Sequence, residues 1–318
     1  MDQSPSKPKH IFGPVPSRRL GRSLGVGLVP YKTCTFDCIY CDLGRTTHKT
    51  VSRQSYVPLE EIQAELELSL SVLGKKPDYI TISGSGEPTL NTGIGEIIRR
   101  IKDITSTPLA VLTNSSLLSS DEVRKDLLEA DVVLPSLDAV TPALFEYINR
   151  PHASFRIEEI ILGLVQFRKQ YRGQIWLEVL FCRGVNDNRE EIERLKEIIK
   201  KIEPERIQLN TLSRPPAEDF VFSLTQPQLG DIRERFGDKA EIIKEFTALT
   251  GDNLNSIDDS EIFNLIKRRP CTAEDISSAL GLHLNEVVKY LEKLMKEGTV
   301  HYQVYEHRCY YENGPTNS

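Results

Sequence analysis

From about residue 22 to about residue 250 short apolar runs alternate with amphipathic runs, and this alternation constrains the fold more than any other feature of the chain. The runs Ser23–Val29, Tyr79–Ser83, Leu109–Thr113, Val132–Leu137, Trp176–Phe181 and Ile207–Thr211 read as six strands. Between them Leu59, Ile62, Leu66, Leu70 and Leu73 fall at helical spacing, as do Ile192, Leu195, Ile199 and Ile202. Start signals agree: Pro58 suits a first helical turn, and Ser119 with Glu122 and Asn188 with Glu191 have capping-box spacing. Repeated β-α units build a parallel sheet whose functional loops collect at its carboxyl edge. Six units are too few for a closed eight-stranded barrel. The expectation is an α/β fold, a partial (β/α)6 TIM-like barrel with one side open to a large substrate.

The pattern changes near residue 251. Gly251-Asp252-Asn253 and Asp258-Asp259 form a polar joint, after which Ile262–Lys267, Ala273–Leu280 and Leu284–Met295 have helical spacing. An alternating Val300, Tyr302, Val304 run follows Gly298, and the whole predicts a small winged helix-turn-helix domain. The expected division is a disordered lead over residues 1–11, a barrel domain over 12–250 and the winged-helix module over 251–318. A chain of 318 residues suits two such units, because single cores stop growing near ~250–300 residues. No run approaches the ~18–20 apolar residues of a membrane span, and no apolar segment follows the polar start MDQSPSKPKH. These features predict a cytoplasmic protein without a membrane partner.

Three of the six cysteines lie within eight residues: Cys34, Cys38 and Cys41 give C-x3-C-x2-C directly after the first strand. Three thiolates on one short loop can bind three irons of a cuboidal cluster and leave the fourth iron open to chelate an amino acid. A zinc site of three cysteines and His48 is the competing arrangement. Structural zinc usually joins two well-separated ligand pairs, and no second pair is present here. Cys182, Cys271 and Cys309 are scattered and read as small buried residues.

With the aromatic Tyr40 just before the third cysteine, this string resembles the signature of the radical S-adenosylmethionine (SAM) superfamily. The likeness runs over roughly residues 12 to 216. It implies a [4Fe–4S] cluster on Cys34, Cys38 and Cys41, and SAM cleaved reductively to a 5′-deoxyadenosyl radical. It also implies an external one-electron donor of flavodoxin or ferredoxin type. Tyr40 would flank the adenine. Gly84, Ser85, Gly86 and Glu87 resemble the family's Gly-Gly-Glu motif, which receives the amino group of SAM, with Ser85 in place of the first glycine. Ser136 and Asp138 resemble a ribose-binding segment, and Asn114 puts an amide on the same sheet edge. These blocks look most like the group containing 4-demethylwyosine synthase and the molybdenum-cofactor cyclases, although this chain has no second cluster motif.

Polar residues within the apolar fifth and sixth strands, Glu178, Gln208 and Asn210, suggest positions facing a barrel interior, where they either meet SAM or substrate or satisfy one another in an internal network. Arg18 and Arg19 before the first strand and Arg214 after the sixth, with Arg150, could clamp a carboxylate or phosphate. Residues 256–318 carry seven Lys and Arg against ten Asp and Glu, a poor balance for duplex DNA. Lys289, Lys293 and Lys296 lie on the third helix, and Tyr302, Tyr305, Tyr310 and Tyr311 in the wing either pack a core and hinge or stack bases, the latter in keeping with an RNA or peptide substrate. No nucleophile–base or paired-carboxylate constellation points to a hydrolase. The rival to an enzyme is an iron–sulfur winged-helix regulator.

Overall fold

All six expected strands form in the computed structural model, which describes residues 9–243 and 259–314, and two unexpected strands extend their sheet at its edges. In chain order the barrel region runs β1 (Ile11–Ser17), β2 (Gly21–Val26), β3 (Thr33–Cys34), β4 (His48–Lys49), α1 (Leu59–Val72), β5 (Tyr79–Ile82), α2 (Ile94–Ile104), β6 (Leu109–Thr113), α3 (Asp121–Asp126) and β7 (Val132–Pro135). It continues through α4 (Pro142–Asn149), α5 (Ile157–Gln170), β8 (Gln174–Phe181), α6 (Arg189–Ile202), β9 (Arg206–Thr211), α7 (Gln226–Phe236) and β10 (Ala240–Ile242). The main sheet has the order β1-β2-β5-β6-β7-β8-β9-β10. Every neighbouring pair in it is parallel except β1 with β2.

The two added strands are hard to see in sequence for different reasons. β1 contains Gly13, Pro14 and Pro16, and its register shifts between Phe12 and Val15. Proline is tolerated there because the strand lies on an edge and need not donate outward. β10 is three residues long. The start of β1 at Ile11 also shortens the expected disordered lead, of which residues 1–8 lie outside the described residues.

The sheet curls. Arg18 and Arg19, in the turn between β1 and β2, bond to Asn210 on β9 and Glu178 on β8, near the far end of the strand order. A flat sheet would hold these strands many neighbour spacings of ~4.8 Å apart. On the concave side Leu20, Ala110, Val132, Leu134 and Trp176 form their own apolar cluster. The larger core lies on the other face, where Ile62, Ile97, Leu164, Leu195 and Ile232 from five helices cover Ile80, Val111, Leu177 and Leu209. Full burial of such side chains contributes ~1.5–3 kcal/mol each.

Beyond the polar joint, which falls outside the described residues except at Asp259, come α8 (Asp259–Arg268), α9 (Ala273–Leu280), α10 (Leu284–Lys296), β11 (Val300–Tyr305) and β12 (Arg308–Asn313). The two strands form an antiparallel hairpin. Ile262, Ile266, Ile276, Val287 and Leu291 make a separate core. Thr272 and Asp275 form a capping box at the start of α9. The module meets the barrel region through Tyr310, whose hydroxyl donates to the Ser213 carbonyl at 2.8 Å, and through Arg268, 4.2 Å over the Phe12 ring.

Local expectations differ from the structure in three places. Ser119 does not cap a helix; α3 begins after Ser120, which offers no side-chain bond. Asn188 caps α6 through Glu191 N at 3.0 Å, but the Glu191 carboxylate turns to Val140 and Thr141. Cys182 and Cys271 are buried as expected, whereas Cys309 is exposed on β12. Among the described residues no helix is long and apolar enough to cross a membrane.

Candidate cluster and SAM site

The cysteine loop is sewn into the sheet edge by its own backbone. Lys32 N donates to the Ser85 carbonyl at 2.6 Å, and Glu87 N donates to the Thr33 carbonyl at 3.1 Å. This approach explains a glycine: a Cβ at Gly86 would stand 1.9 Å from the Thr33 oxygen. On its other flank the loop rests on the end of α4, with Asp37 N bonded to the Asn149 carbonyl and Ile39 N to that of Ile148.

The three thiols are half-buried and interact electrostatically with one another. Burial pushes Cys34 up to about 11 and Cys41 up to about 12, and holds Cys38 well above the ordinary thiol value. Nearby negative charge adds to this, from Glu87 at Cys34 and Asp42 at Cys41. Such a set is deprotonated by a bound metal cation, which reverses the penalty. Among the described residues no three His, Cys, Asp or Glu side chains converge on a single metal ion. His48, exposed on β4, completes no zinc set. Three thiols on one eight-residue loop are the kind of donor set that an iron–sulfur cluster takes.

Two amides face the sulfurs. Asn114 Nδ2 lies 3.5 Å from Cys34 Sγ and donates to Thr35 Oγ1 at 2.7 Å. Asn149 Nδ2 lies 3.5 Å from Cys38 Sγ and donates to Asp138 Oδ2 at 2.9 Å. Asn149 is a site residue that the sequence motifs do not single out. Its signal was a polar residue on the same helical face as Phe145 and Ile148, all three buried.

The residues assigned to SAM gather around this loop, several with their polar groups already partnered. Glu87 is 2% exposed. Its carboxylate accepts from Thr89 N and Oγ1, from Thr113 Oγ1 at 2.7 Å and from Asn114 N at 2.7 Å. Burial raises its pKa while these bonds oppose the shift. Four donors fill the ~four acceptor sites of a carboxylate. Glu87 therefore ties the end of β5 to the end of β6, and beyond that it offers a bound cation its charge. Asp138, also buried, accepts from Tyr40, Asn149 and Leu180 N, which fixes the Tyr40 ring. Asn114, Ser136, Asp138 and Asn149 face one small cavity of about 10 Å³. Ser115, between these groups, holds a left-handed backbone at φ 70° and donates to the Ser136 carbonyl. Strain of this kind persists only where its surroundings over-determine it.

The residues expected to meet substrate divide into separate sets. Arg19 pairs with Glu178, Asn210 Nδ2 donates to the same carboxylate at 2.9 Å, and Arg18 Nη1 donates to Asn210 Oδ1 at 3.3 Å. Burial, with the charges of Arg19 and Arg214, brings the Arg18 pKa down to about 10. Gln208 instead bonds Glu241 on β10 at 3.0 Å. Arg214 reaches the C-terminal module, where it bonds the Pro270 carbonyl at 3.2 Å and faces Asp275 at 3.4 Å. Arg150 pairs with Glu218.

Comparison with known proteins agrees with this geometry. The sequence model of the radical SAM superfamily matches residues 28–196, more than half of the chain. A Brachyspira hyodysenteriae protein named GTPase Obg is 36% identical over 305 residues, 95% of this chain and 45% of that protein, so the chain spans less than half of that relative's length. A UPF0026 protein of Helicobacter pylori is 33% identical over 288 residues, 90% of this chain and 91% of that protein. In fold, the chain is similar to a radical SAM methyltransferase from Sphaerobacter thermophilus, with a TM-score of 0.53 at 16% identity over 69% of this chain and 65% of that one. By its cysteine loop, its sheet and the family match, the chain belongs to the radical SAM superfamily, whose cofactors are a [4Fe–4S] cluster and SAM.

Proposed function

We propose that this chain is an enzyme that cleaves SAM reductively and uses the resulting radical to modify a macromolecular substrate, RNA or peptide. The observation that carries the reading is the lacing of the cysteine loop to the Ser85–Glu87 turn, through Lys32 N to Ser85 O and Glu87 N to Thr33 O. It sets the donors for a cluster beside the turn that resembles the methionine-binding motif. A cluster held by Cys34, Cys38 and Cys41 would supply, when bound, the one-electron reduction that cleaves a sulfonium. The chain's own residues do the rest: Cys34, Cys38 and Cys41 hold three irons, and Asn114 and Asn149 direct amide hydrogens at two of the sulfurs. The Gly84–Glu87 turn receives the amino group, and Tyr40, Ser136 and Asp138 frame the nucleoside.

The curled sheet reads as a partial barrel, and its Arg18–Asn210–Glu178–Arg19 network lines the interior where a substrate group enters. The C-terminal helices and hairpin follow the order of a winged helix, whose place is to present the substrate. The electron comes from a small donor of flavodoxin or ferredoxin type. Anaerobic reconstitution with iron and sulfide, reduction with dithionite and chromatography for 5′-deoxyadenosine and methionine test the reading. Zinc in place of iron would end it. So would sequence-specific duplex binding without SAM cleavage, the behaviour of a regulator.

A further inference from the structure

A cleft of about 1400 Å³ separates the C-terminal module from β1, the Tyr31–Gly44 part of the cysteine loop and the Gly84–Ser85 turn. Small ligands fill roughly 300–1,000 Å³. Six cationic side chains line it, Lys9, Arg22 and Lys32 from the barrel side and Lys267, Arg268 and Arg269 from the end of α8 and beyond. Only two carboxylates, Asp42 and Glu312, are among the lining residues. The local balance is thus four positive charges in excess, in a chain of formal net charge -6.

Among the described residues none of the six cations makes an ion pair with a carboxylate. Where they are held, neutral groups hold them: Arg268 by the Phe12 ring and the Lys9 carbonyl, Arg22 by the Lys75 carbonyl, Lys32 by the Tyr31 ring at 5.4 Å. Glu65 acts on Arg268 and Glu312 on Lys32, but the cations of the lining outnumber its carboxylates six to two, and like charges gathered in one cleft raise its potential. Tyr31 is 49% exposed on the same wall, an aromatic face open to a stacking partner. Basic grooves with exposed aromatic rings suit single-stranded nucleic acid, because every base has a face to stack and every nucleotide a phosphate. An acidic peptide satisfies the charges and leaves the ring unused. α10 contributes none of the lining residues, so this surface is separate from a helix laid in a duplex groove.

We propose that the cleft binds a single-stranded segment of nucleic acid, with its phosphates on these cations and a base against Tyr31, and leads it to the Gly84–Ser85 turn. Only the last step rests on the SAM chemistry proposed above. The binding does not.

The test is fluorescence anisotropy of the reconstituted holoenzyme with a labelled RNA of about 12 nucleotides, the DNA of the same sequence and an oligoglutamate peptide, from about 50 to about 200 mM salt. Neutralising up to six phosphates predicts a slope of log affinity against log salt as steep as about -4 for a single strand. Lys9 and Lys267 are exposed, so Lys9→Glu with Lys267→Glu leaves the fold intact. The double variant is expected to make the slope shallower by about 1.4 and weaken low-salt binding at least about tenfold. Tighter binding of RNA or of DNA names the source, and either supports the proposal. Failure to bind both strands overturns it, as does binding indifferent to the double substitution or an oligoglutamate bound as tightly as the strands. Release of 5′-deoxyadenosine without nucleic acid is measured in parallel. Its absence defeats the proposed activity and leaves the binding result standing.

Discussion

The side-chain amide of Asn149 donates to the Asp138 carboxylate at 2.9 Å while lying 3.5 Å from the Cys38 sulfur. One residue at the end of α4 therefore joins the end of β7 to the cysteine loop, with the Cys38 sulfur and the Tyr40 hydroxyl both within reach of its amide. Hydrogen bonds to cluster sulfurs stabilise the more negative, reduced state.

Asn149→Leu is expected to lower the reduction potential of the cluster. Loss of one hydrogen bond of about 1 kcal/mol corresponds to roughly 40 mV for a one-electron couple. A redox titration followed by electron paramagnetic resonance reads the shift, with Asn149→Gln as the variant that restores part of it. A potential unchanged in the leucine variant, at full iron content, would remove the amide from any tuning role.

Each of Cys34→Ser, Cys38→Ser and Cys41→Ser is expected to lose the [4Fe–4S] absorbance after reconstitution and nearly all acid-labile sulfide. Cys182→Ser and Cys309→Ser keep both, since neither belongs to the loop. Far-UV circular dichroism should be alike in all five, because each substitution exchanges one sulfur for oxygen, even at Cys182, which lies in the buried core. Cluster loss on Cys309→Ser would point to a ligand set different from the one described.

Gly86→Ala tests the contact between the two loops. The new methyl would meet the Thr33 carbonyl at 1.9 Å, so backbone must move. The expected cost is about 2–3 kcal/mol, a fall of roughly 4–10 °C in Tm, together with poor cluster retention. Gly230→Ala, in helix α7 with no atom within 4 Å of the added carbon, is the contrast. It should be neutral or stabilising by up to about 1 kcal/mol. Equal melting temperatures for the two variants would contradict the close approach.

Arg19 and Glu178 are 17% and 11% exposed, and Arg19 Nε has no partner. Glu178→Ala alone strands the guanidinium and is expected to cost about 2–4 kcal/mol. Adding Arg19→Met should recover most of that loss, since an apolar pair needs no compensation. A double-mutant cycle in urea measures the coupling. Strictly additive losses would mean that the pair does not hold the curl of the sheet.

Much of this was legible in the amino acids because it is local. The spacing of Cys34, Cys38 and Cys41 places three thiols on one loop in any fold that follows a strand with a turn, and helical periods such as Leu59 to Leu73 state which face is buried. The edge strand β1 was illegible because Pro14 and Pro16 look like loop until an edge position makes them harmless. Asn149 belongs to no motif, and only the packing of α4 on the cysteine loop brings its amide to Cys38.

What a side chain meets was decided by the tertiary structure. Periodicity assigns Glu178 and Asn210 to one face of a sheet, but only its curl brings Arg19 and Arg18 to them across 159 and 192 positions of chain. The same packing carried Arg214 away to Asp275 and filled the Glu87 carboxylate with donors from β6 and from Thr89. Curl is the accumulated twist of many strands packed on shared helices, a collective property that no window of residues contains. The sequence by itself determined which groups the protein owns and roughly which edge they occupy. Their pairing, and the gathering of cations in the cleft, came only with the packed chain.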